Sequence, residues 1–268
     1  MKKLYYSLRY FLGLQKKKFL ELLDYIFLKS KLNKIQFFKK RYNNRRCFVI
    51  GNGPSLNSMD LNLMRDDVLF CSNSFFLKFK DLEFKPTFIT VEDHLVAEDN
   101  VKELNKLDGI TKIFPIDLRH ILANTANTYW IELRRAWNNK TREKKFKFNI
   151  EKETFYWGGT VLYMNLQLAA YMGFKSIYLI GVDLSYSIPK DADVRGSVIT
   201  SNSDDPNHFN PSYFGKGKRW HLPETDRMQE SFTNAYKELK KSNIHLYNAT
   251  VGGNLKDVPR VEYNSLFE

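Results

Sequence analysis

Cysteine is scarce: two of 268 residues, Cys47 and Cys71, and both stand inside apolar runs. Two such thiols, with no metal-ligand spacing around them, exclude a disulfide scaffold and a zinc module and point to a reducing compartment. The first 40 residues contain no apolar run long enough to cross a bilayer. A cleavable leader fits poorly there, since charges break the apolar stretch and no small-residue cleavage site follows. Acids are nearly absent from the same end: residues 1–46 carry fourteen Lys or Arg against Glu21 and Asp24. The whole chain has 42 basic and 30 acidic residues, a formal charge of +12. Subtracting the first 46 leaves 28 of each, so the body is neutral and the excess belongs to an arm. A neutral body, with no basic stripe beside aromatic platforms, argues against nucleic acid as the partner. Also missing are the Lys of a P-loop and the G-x-x-G half of the dinucleotide fingerprint.

The arm (residues 1–45) mixes Tyr, Phe, Leu and Ile with Lys and Arg. Tyr5, Leu8 and Leu12, then Phe19, Leu22, Leu23 and Ile26, recur at roughly helical spacing. This reads as one or two basic amphipathic helices, suited to an anionic membrane interface. The alternative is a helix packed on the domain with a solvated basic face.

The remaining chain, residues 46–268, is organised around Arg46–Leu56, RCFVIGNGPSL. Cys47–Ile50 is the short apolar run of a strand buried on both faces. Gly51, Asn52, Gly53, Pro54 and Ser55 break it. The glycines admit unusual backbone angles and close approach, Pro54 suits a first helical turn, and Ser55 can cap one. A strand, a tight turn and a helix start together predict a phosphate cradle, with an ordinary strand-to-helix turn as the competing reading. Further strands are predicted at Asp67–Ser72, Thr87–Val91, Lys112–Pro115, Thr128–Leu133, Ser176–Val182 and Ile244–Tyr247. Helices are predicted at Val161–Gly173 and Met228–Lys241, with helical or polar sequence at Leu95–Leu107 and a polar basic stretch at Arg134–Lys147. The alternation predicts an α/β fold, a doubly wound, mainly parallel sheet. Ligands bind beyond the carboxyl ends of such strands.

Asn52, Asn73 and Asp93 each fall just past a predicted strand and can share one crevice. Asn supplies donor and acceptor together, which suits reading a base or a sugar. Gly158, Gly159 and Thr160 precede the helix at Val161, whose first amides offer a second anion site. Asp183 follows the strand ending at Val182. Residues 187–220 lose all periodicity, and a loop this long is usually functional; we expect a lid over 184–220. His221 closes it.

Three pieces of this chain, taken in order, resemble glycosyltransferase family 42, bacterial sialyltransferases that use CMP-activated sugars. They are Gly51–Leu56, then Val161–Tyr186, then His221 with Thr225-Asp226, the following helix and the strand at Ile244–Tyr247. The chain is also similar to the wider MptE-like domain family, which includes the central domain of motility accessory factors and an archaeal pterin diphosphokinase. The resemblance spans roughly Arg46–Asn248. It implies a GT-A-like Rossmann variant with a small lid, working without a metal or other cofactor. It places Asn52, Gly53 and Pro54 against CMP, and matches Asn73 and Thr160 to donor-binding positions. It matches Tyr186 to one of two lid tyrosines that hydrogen-bond the departing phosphate, and His221 to the catalytic base. This chain departs from the family in three places. Trp157 replaces an Arg, Tyr213 stands in for the second lid tyrosine, and the strand-end Asn is replaced near Glu92-Asp93.

The residue types suit that chemistry. A neutral His can deprotonate an acceptor hydroxyl near pH 7. Tyr hydroxyls and helix-end amides can stabilise the leaving phosphate. His208 and His94 compete with His221 as the base. The Asp191-Ala192-Asp193 triplet matches the D-x-D of metal-dependent glycosyltransferases, and we read it as accidental. The expectation is a metal-independent, inverting glycosyltransferase. It moves a sialic acid or related acidic sugar from a CMP-sugar to a glycan or lipid-linked acceptor at a bacterial surface. It would sit in the cytoplasm on the inner face of the membrane, as a monomer or an oligomer. Competing expectations are an MptE-like diphosphokinase using Mg²⁺ on Asp93, Asp183 or Asp204-Asp205, and a non-catalytic module of polysaccharide assembly.

Overall fold

Alternation along the first strand decides the layering. β1 (Arg46–Ile50) sends Cys47 and Val49 into one buried cluster and Phe48 and Ile50 into another. Successive side chains of a strand point to opposite faces, so an unbroken apolar run needs a core on both sides. In the computed structural model, residues 35–135, 146–147 and 154–268 are described, together with Gln15, Phe19, Leu22, Leu23 and Ile26. The next strands are β2 (Val68–Ser72), β3 (Phe88–Thr90), β4 (Thr111–Pro115), β5 (Thr128–Arg134), β6 (Thr154–Tyr156) and β7 (Ser176–Ile180). Three short strands follow, β8 (Asp193–Arg195), β9 (Val198–Thr200) and β10 (Arg219–His221), and then β11 (His245–Asn248).

Eight strands form one sheet in the order β11-β7-β1-β2-β3-β4-β5-β6, and every pairing in it is parallel. The chain winds outward from β1 through β6, then returns to place β7 and β11 on the other side of β1. The direction of winding therefore reverses between β1 and β7, the place where open α/β sheets hold ligands.

Among the described residues from Ile35 onward, the α-helices are α1 (His94–Asp99), α2 (Val101–Lys106), α3 (Val161–Tyr171) and α4 (Thr225–Lys241). Every residue of α3 is buried, including Asn165 and Gln167. Gln167 spends its amide on the backbone of Tyr156, and so ties edge strand β6 to the helix. Thr160 caps the start of α3, and Gly173 follows it at φ +92°, the left-handed ending the sequence predicts. In α4 Phe232, Ala235 and Leu239 face the core, as their spacing predicts. Cys47 and Cys71 are buried free thiols, and burial pushes both pKa values up, which makes them inert.

Three expectations change. Residues 187–220 are not aperiodic: β8, β9 and β10 pair as a small antiparallel sheet. The helical stretch at Leu95–Leu107 is split by Asn100, whose side chain bonds back to the Val96 carbonyl. The arm does not end at residue 45 as a detached unit. Ile35 and Phe38 are core residues, Tyr42 stacks on Phe174, and the Lys40 and Tyr42 amides donate to the end of α3. Phe19, Leu22, Leu23 and Ile26 are helical and exposed. The expected helix through Tyr5, Leu8 and Leu12 lies outside the described residues, as does most of Arg134–Lys147. No described helix is long and apolar enough to cross a membrane.

Candidate active site

The ends of β1 and β7 approach too closely for side chains. A Cβ on Gly51 would lie 2.2 Å from the Gly181 carbonyl oxygen, and one on Gly53 would lie 1.8 Å from Asp183 Oδ2. Neither Gly51 nor Gly53 has a positive φ, so it is contact, not backbone angle, that requires glycine here. The Gly53 amide donates to the Gly181 carbonyl, and the Ser55 amide and hydroxyl both donate to Asp183. Pro54 begins a 3₁₀ turn (Pro54–Ser58) and has no amide hydrogen. The Gly51, Gly53 and Ser55 amides of this turn are thus satisfied within the fold, and a carboxylate stands at its mouth. The expected phosphate cradle at 51–55 is corrected on that ground: an anion would meet the Asp183 carboxylate there, and the Gly51, Gly53 and Ser55 amides are already taken.

What the turn does present is Asn52. Its Nδ2 donates to Ser72 Oγ at 3.1 Å, while its Oδ1 is buried without a partner. Asn73, at φ +54° just past β2, also has a buried, unpartnered Oδ1. Tyr213, 1 % exposed, has an unpartnered hydroxyl close enough to Asn73 to feel it, though without good hydrogen-bond geometry. All three residues line one cleft with Gly51, Gly53, Thr160, Asp183, Tyr186 and His208. Each buried polar atom without a partner costs about 1–3 kcal/mol, so three on one cleft mark a place shaped for a ligand. The cleft holds about 80 Å³ as it stands. Sites for drug-sized ligands are on the order of 300–1,000 Å³.

The loop over the cleft is pinned to it. The Phe209 amide donates to the Asn52 carbonyl, Asn57 bonds the Phe209 carbonyl, and Phe209 is buried. Asn207 grips Ser187 through both its side-chain amide atoms, which holds Tyr186 in place. Tyr186 is 36 % exposed, yet its hydroxyl lies deep, and burial with Asp183 and Asp205 nearby pushes its pKa up to about 12. Burial raises that of Tyr213 further.

The starting turn of α3 adds the Thr160–Leu162 wall of the cleft. Gly158 and Gly159 do not line it. A Cβ on Gly158 would strike the Tyr163 ring, and Gly159 turns the chain at φ +82° beside Arg227.

His221 lies outside this cavity, on the same edge of the sheet. Its Nδ1 meets Asp93 Oδ2 at 2.5 Å, just past the end of β3. Asp93 also caps α1, accepting from the Leu95 and Val96 amides. β3 is two strands from β1, so at the ~4.8 Å spacing of strands the pair stands on the order of 10 Å along the edge from the glycine turn. Asp93 therefore orients a histidine and does not line the cleft with Asn52 and Asn73. Its hydrogen bond to His221 outweighs burial and raises the imidazole pKa above its ordinary value. For Asp93, burial opposes ionisation, but His221 and the Leu95 amide more than compensate, and its pKa falls. Lys218 and Arg219 strap β10 to α1: Lys218 Nζ reaches the Asp99 carbonyl and Asn100 Oδ1, and Arg219 pairs with Asp99 and Glu98. His94 lies beside the pair, its ring 5.5 Å from that of His221.

Next to Asp93, Glu92 is buried, and burial lifts its pKa to about 7. Trp157 Nε1 donates to one of its oxygens, and the other is unpartnered. Arg227 lies over the Trp157 ring at 4.8 Å. Asp193 pairs with Arg195, and Asp191 takes the Ser203 hydroxyl, so the D-x-D triplet belongs to the β8 surface and not to the cleft.

The structure brings Asn52, Asn73, Thr160, Tyr186 and Tyr213 together at one cleft and sets His221 on the same edge of the sheet, outside it. Sequence reasoning missed the orienting role of Asp93 and the burial of Glu92. It also missed the pairing of His208 with Asp205, which the Asp-x-x-His spacing in a long loop could have suggested.

With this geometry in hand, residues 17–189 match the family described as 6-hydroxymethylpterin diphosphokinase MptE-like. The chain belongs to the MptE-like family. No curated protein matches it in sequence. Among solved structures, it shares its fold with the MAf glycosyltransferase from Magnetospirillum magneticum AMB-1. The TM-score is 0.52 at 14 % identity, over 87 % of this chain and 38 % of that one. The chain thus spans well under half the length of that protein. It is also similar to the sialyltransferase CstII from Campylobacter jejuni, solved with cytidine-5'-monophosphate. There the TM-score is 0.43 at 16 % identity, over 83 % of this chain and 86 % of that one. The family match ends at residue 189, before His208, Tyr213 and His221.

Proposed function

We propose that this MptE-like protein is an inverting glycosyltransferase that moves a sialic acid or related acidic sugar from a CMP-sugar to a glycan or lipid-linked acceptor. The observation that carries this reading is the convergence of Asn52 Oδ1, Asn73 Oδ1 and the Tyr213 hydroxyl, all buried and unpartnered, on one cleft at the switch point of the sheet. Two Asn side chains beside a helix start suit a nucleotide: the amides read its base or ribose, and the first turn of α3 faces its phosphate. The MAf protein that shares the fold is named a glycosyltransferase, which agrees with this reading.

His221 supplies the other half. With Nδ1–H donated to Asp93, Nε2 is left to take the proton of an acceptor hydroxyl. The acceptor oxygen attacks the anomeric carbon from the side opposite the phosphate, and a single displacement inverts that centre. No step in this scheme needs a metal, because hydroxyls and helix-end amides meet the charge developing on the phosphate. The pinned loop must lift for the donor to enter, since the cleft holds about 80 Å³ with the loop in place.

The second reading, a nucleotide-dependent diphosphokinase, is favoured by the family description alone. It requires Mg²⁺ on carboxylates that already have partners: Asp93 holds His221, Asp183 holds Ser55 and Asp205 holds His208. Titration calorimetry separates the two. The glycosyltransferase reading expects CMP to bind without Mg²⁺. ATP or GTP binding that depends on Mg²⁺, with none for CMP, would overturn it.

A further inference from the structure

We infer that His208, oriented by Asp205, hands a proton to the phosphate oxygen that leaves as the glycosyl bond breaks. This rests on the glycosyltransferase reading above and gives a role to a second histidine–carboxylate pair that the reading leaves unused.

His208 Nδ1 lies 2.7 Å from Asp205 Oδ2, and the two side chains are 9 % and 2 % exposed. Asp205 also accepts from the Asn207 and Phe214 amides, at 2.8 and 3.0 Å. With three donors converging on it, the carboxylate acts as the acceptor and Nδ1 carries the hydrogen. Nε2 is then the working nitrogen, and no partner for it is found among the described residues. The ring has little freedom. It stacks on Tyr213 with centroids 4.0 Å apart and planes 7° apart, and the Phe214 ring meets it edge-on at 5.1 Å. It lines the same cleft as Thr160 and Val161, at the start of α3, and the unpartnered Tyr213 hydroxyl.

The other titratable and charged groups facing this corner are Tyr186, Tyr213 and, across the cleft, Asp183. Both tyrosine pKa values are raised by burial, to about 12 for Tyr186, so these hydroxyls give hydrogen bonds and keep their protons. Asp183 is bound to Ser55. Among the described residues lining this cleft, His208 carries the side-chain type suited to proton transfer.

The step balances as follows. The bond between the anomeric carbon and the phosphate oxygen breaks, and its electron pair stays on that oxygen. Nε2 of His208 gives its proton to the oxygen and becomes neutral. The acceptor oxygen bonds the anomeric carbon, and its proton passes to Nε2 of His221. Solvent resets both rings.

The test is calorimetry of the full chain with CMP, in two buffers of different ionisation enthalpy. The wild type should take up part of a proton on binding, because a phosphate placed against Nε2 favours the protonated ring. H208Q should bind CMP without that uptake, and its kcat should fall on the order of 10²–10⁴-fold. H208F, which keeps a ring on Tyr213, should bind about 10- to 100-fold more weakly. Circular dichroism and melting temperature check that each variant is folded. Equal proton uptake in H208Q and wild type overturns the inference and leaves the donor reading intact. CMP failing to bind the wild type overturns both.

Discussion

At the scale of single residues, His221 should set the rising limb of the pH profile. A base works when neutral, so turnover should rise with pH through the His221 pKa, which the Asp93 hydrogen bond lifts above its ordinary value. Asp93→Asn removes that support. The rising limb should move to lower pH, and the plateau should drop on the order of 10²–10⁴-fold, because an Asn no longer holds one tautomer. His221→Ala should lose a similar factor and lose the limb altogether. A limb that stays in place in Asp93→Asn would show that another group is titrating. Part of this was legible beforehand. Asn52 and Asn73 stand immediately after apolar runs, and strand ends in a parallel sheet share one edge, so their meeting follows from position alone. The partners of His221 did not follow, since Asp93 is 128 residues away in sequence and reaches the histidine only through a packing of β10 on α1. The close contacts of Gly51 and Gly53 did not follow either, for a related reason. Their neighbours come from the end of β7, and only the folded contact shows a carboxylate filling the turn.

At the scale of elements, local patterning explains most of the sheet. The runs at β1, β2, β4, β5, β7 and β11 are apolar and bounded by polar residues, and each forms close to where its pattern predicts. β6, β8, β9 and β10 have only three residues each, too few for a period to register. Long-range contacts define them, and for β10 those contacts have a functional consequence. Lys218 and Arg219 grip Asp99 and Asn100, and this clamp sets His221 over Asp93. Arg219→Ala removes the guanidinium from a pair whose Asp99 side chain is 12 % exposed. We expect kcat to fall several-fold to about 100-fold, in keeping with the sensitivity of catalysis to small misplacements. CMP affinity should hold within about twofold, because the clamp is remote from the cleft residues. Stopped kinetics and calorimetry on one preparation read both. A matching loss of CMP affinity would mean that the clamp shapes the whole edge and not the histidine alone.

At the scale of the whole molecule, charge and shape assign different work to the two ends of the chain. The body is electrically balanced and encloses the cleft, while the basic excess lies in the first 46 residues. Within that segment Phe19, Leu22, Leu23 and Ile26 are helical, stand at positions that share a helix face, and are between 37 % and 59 % exposed. Ile35, Phe38, Lys40 and Tyr42 are bound into the body, so a cut before Ile35 leaves those contacts in place. An apolar stripe flanked by lysines fits an interface with anionic lipid, where each Lys or Arg near the surface adds about 1 kcal/mol and the apolar face adds its burial. Deleting residues 1–34 should abolish sedimentation with vesicles rich in phosphatidylserine and leave turnover on a soluble acceptor unchanged. The intact chain should bind such vesicles far better than neutral ones, and raised salt should weaken binding, since the Debye length is only about 8 Å at physiological ionic strength. Equal binding to neutral vesicles would assign the arm to an apolar partner instead. Loss of soluble turnover on deletion would place the arm in the catalytic body.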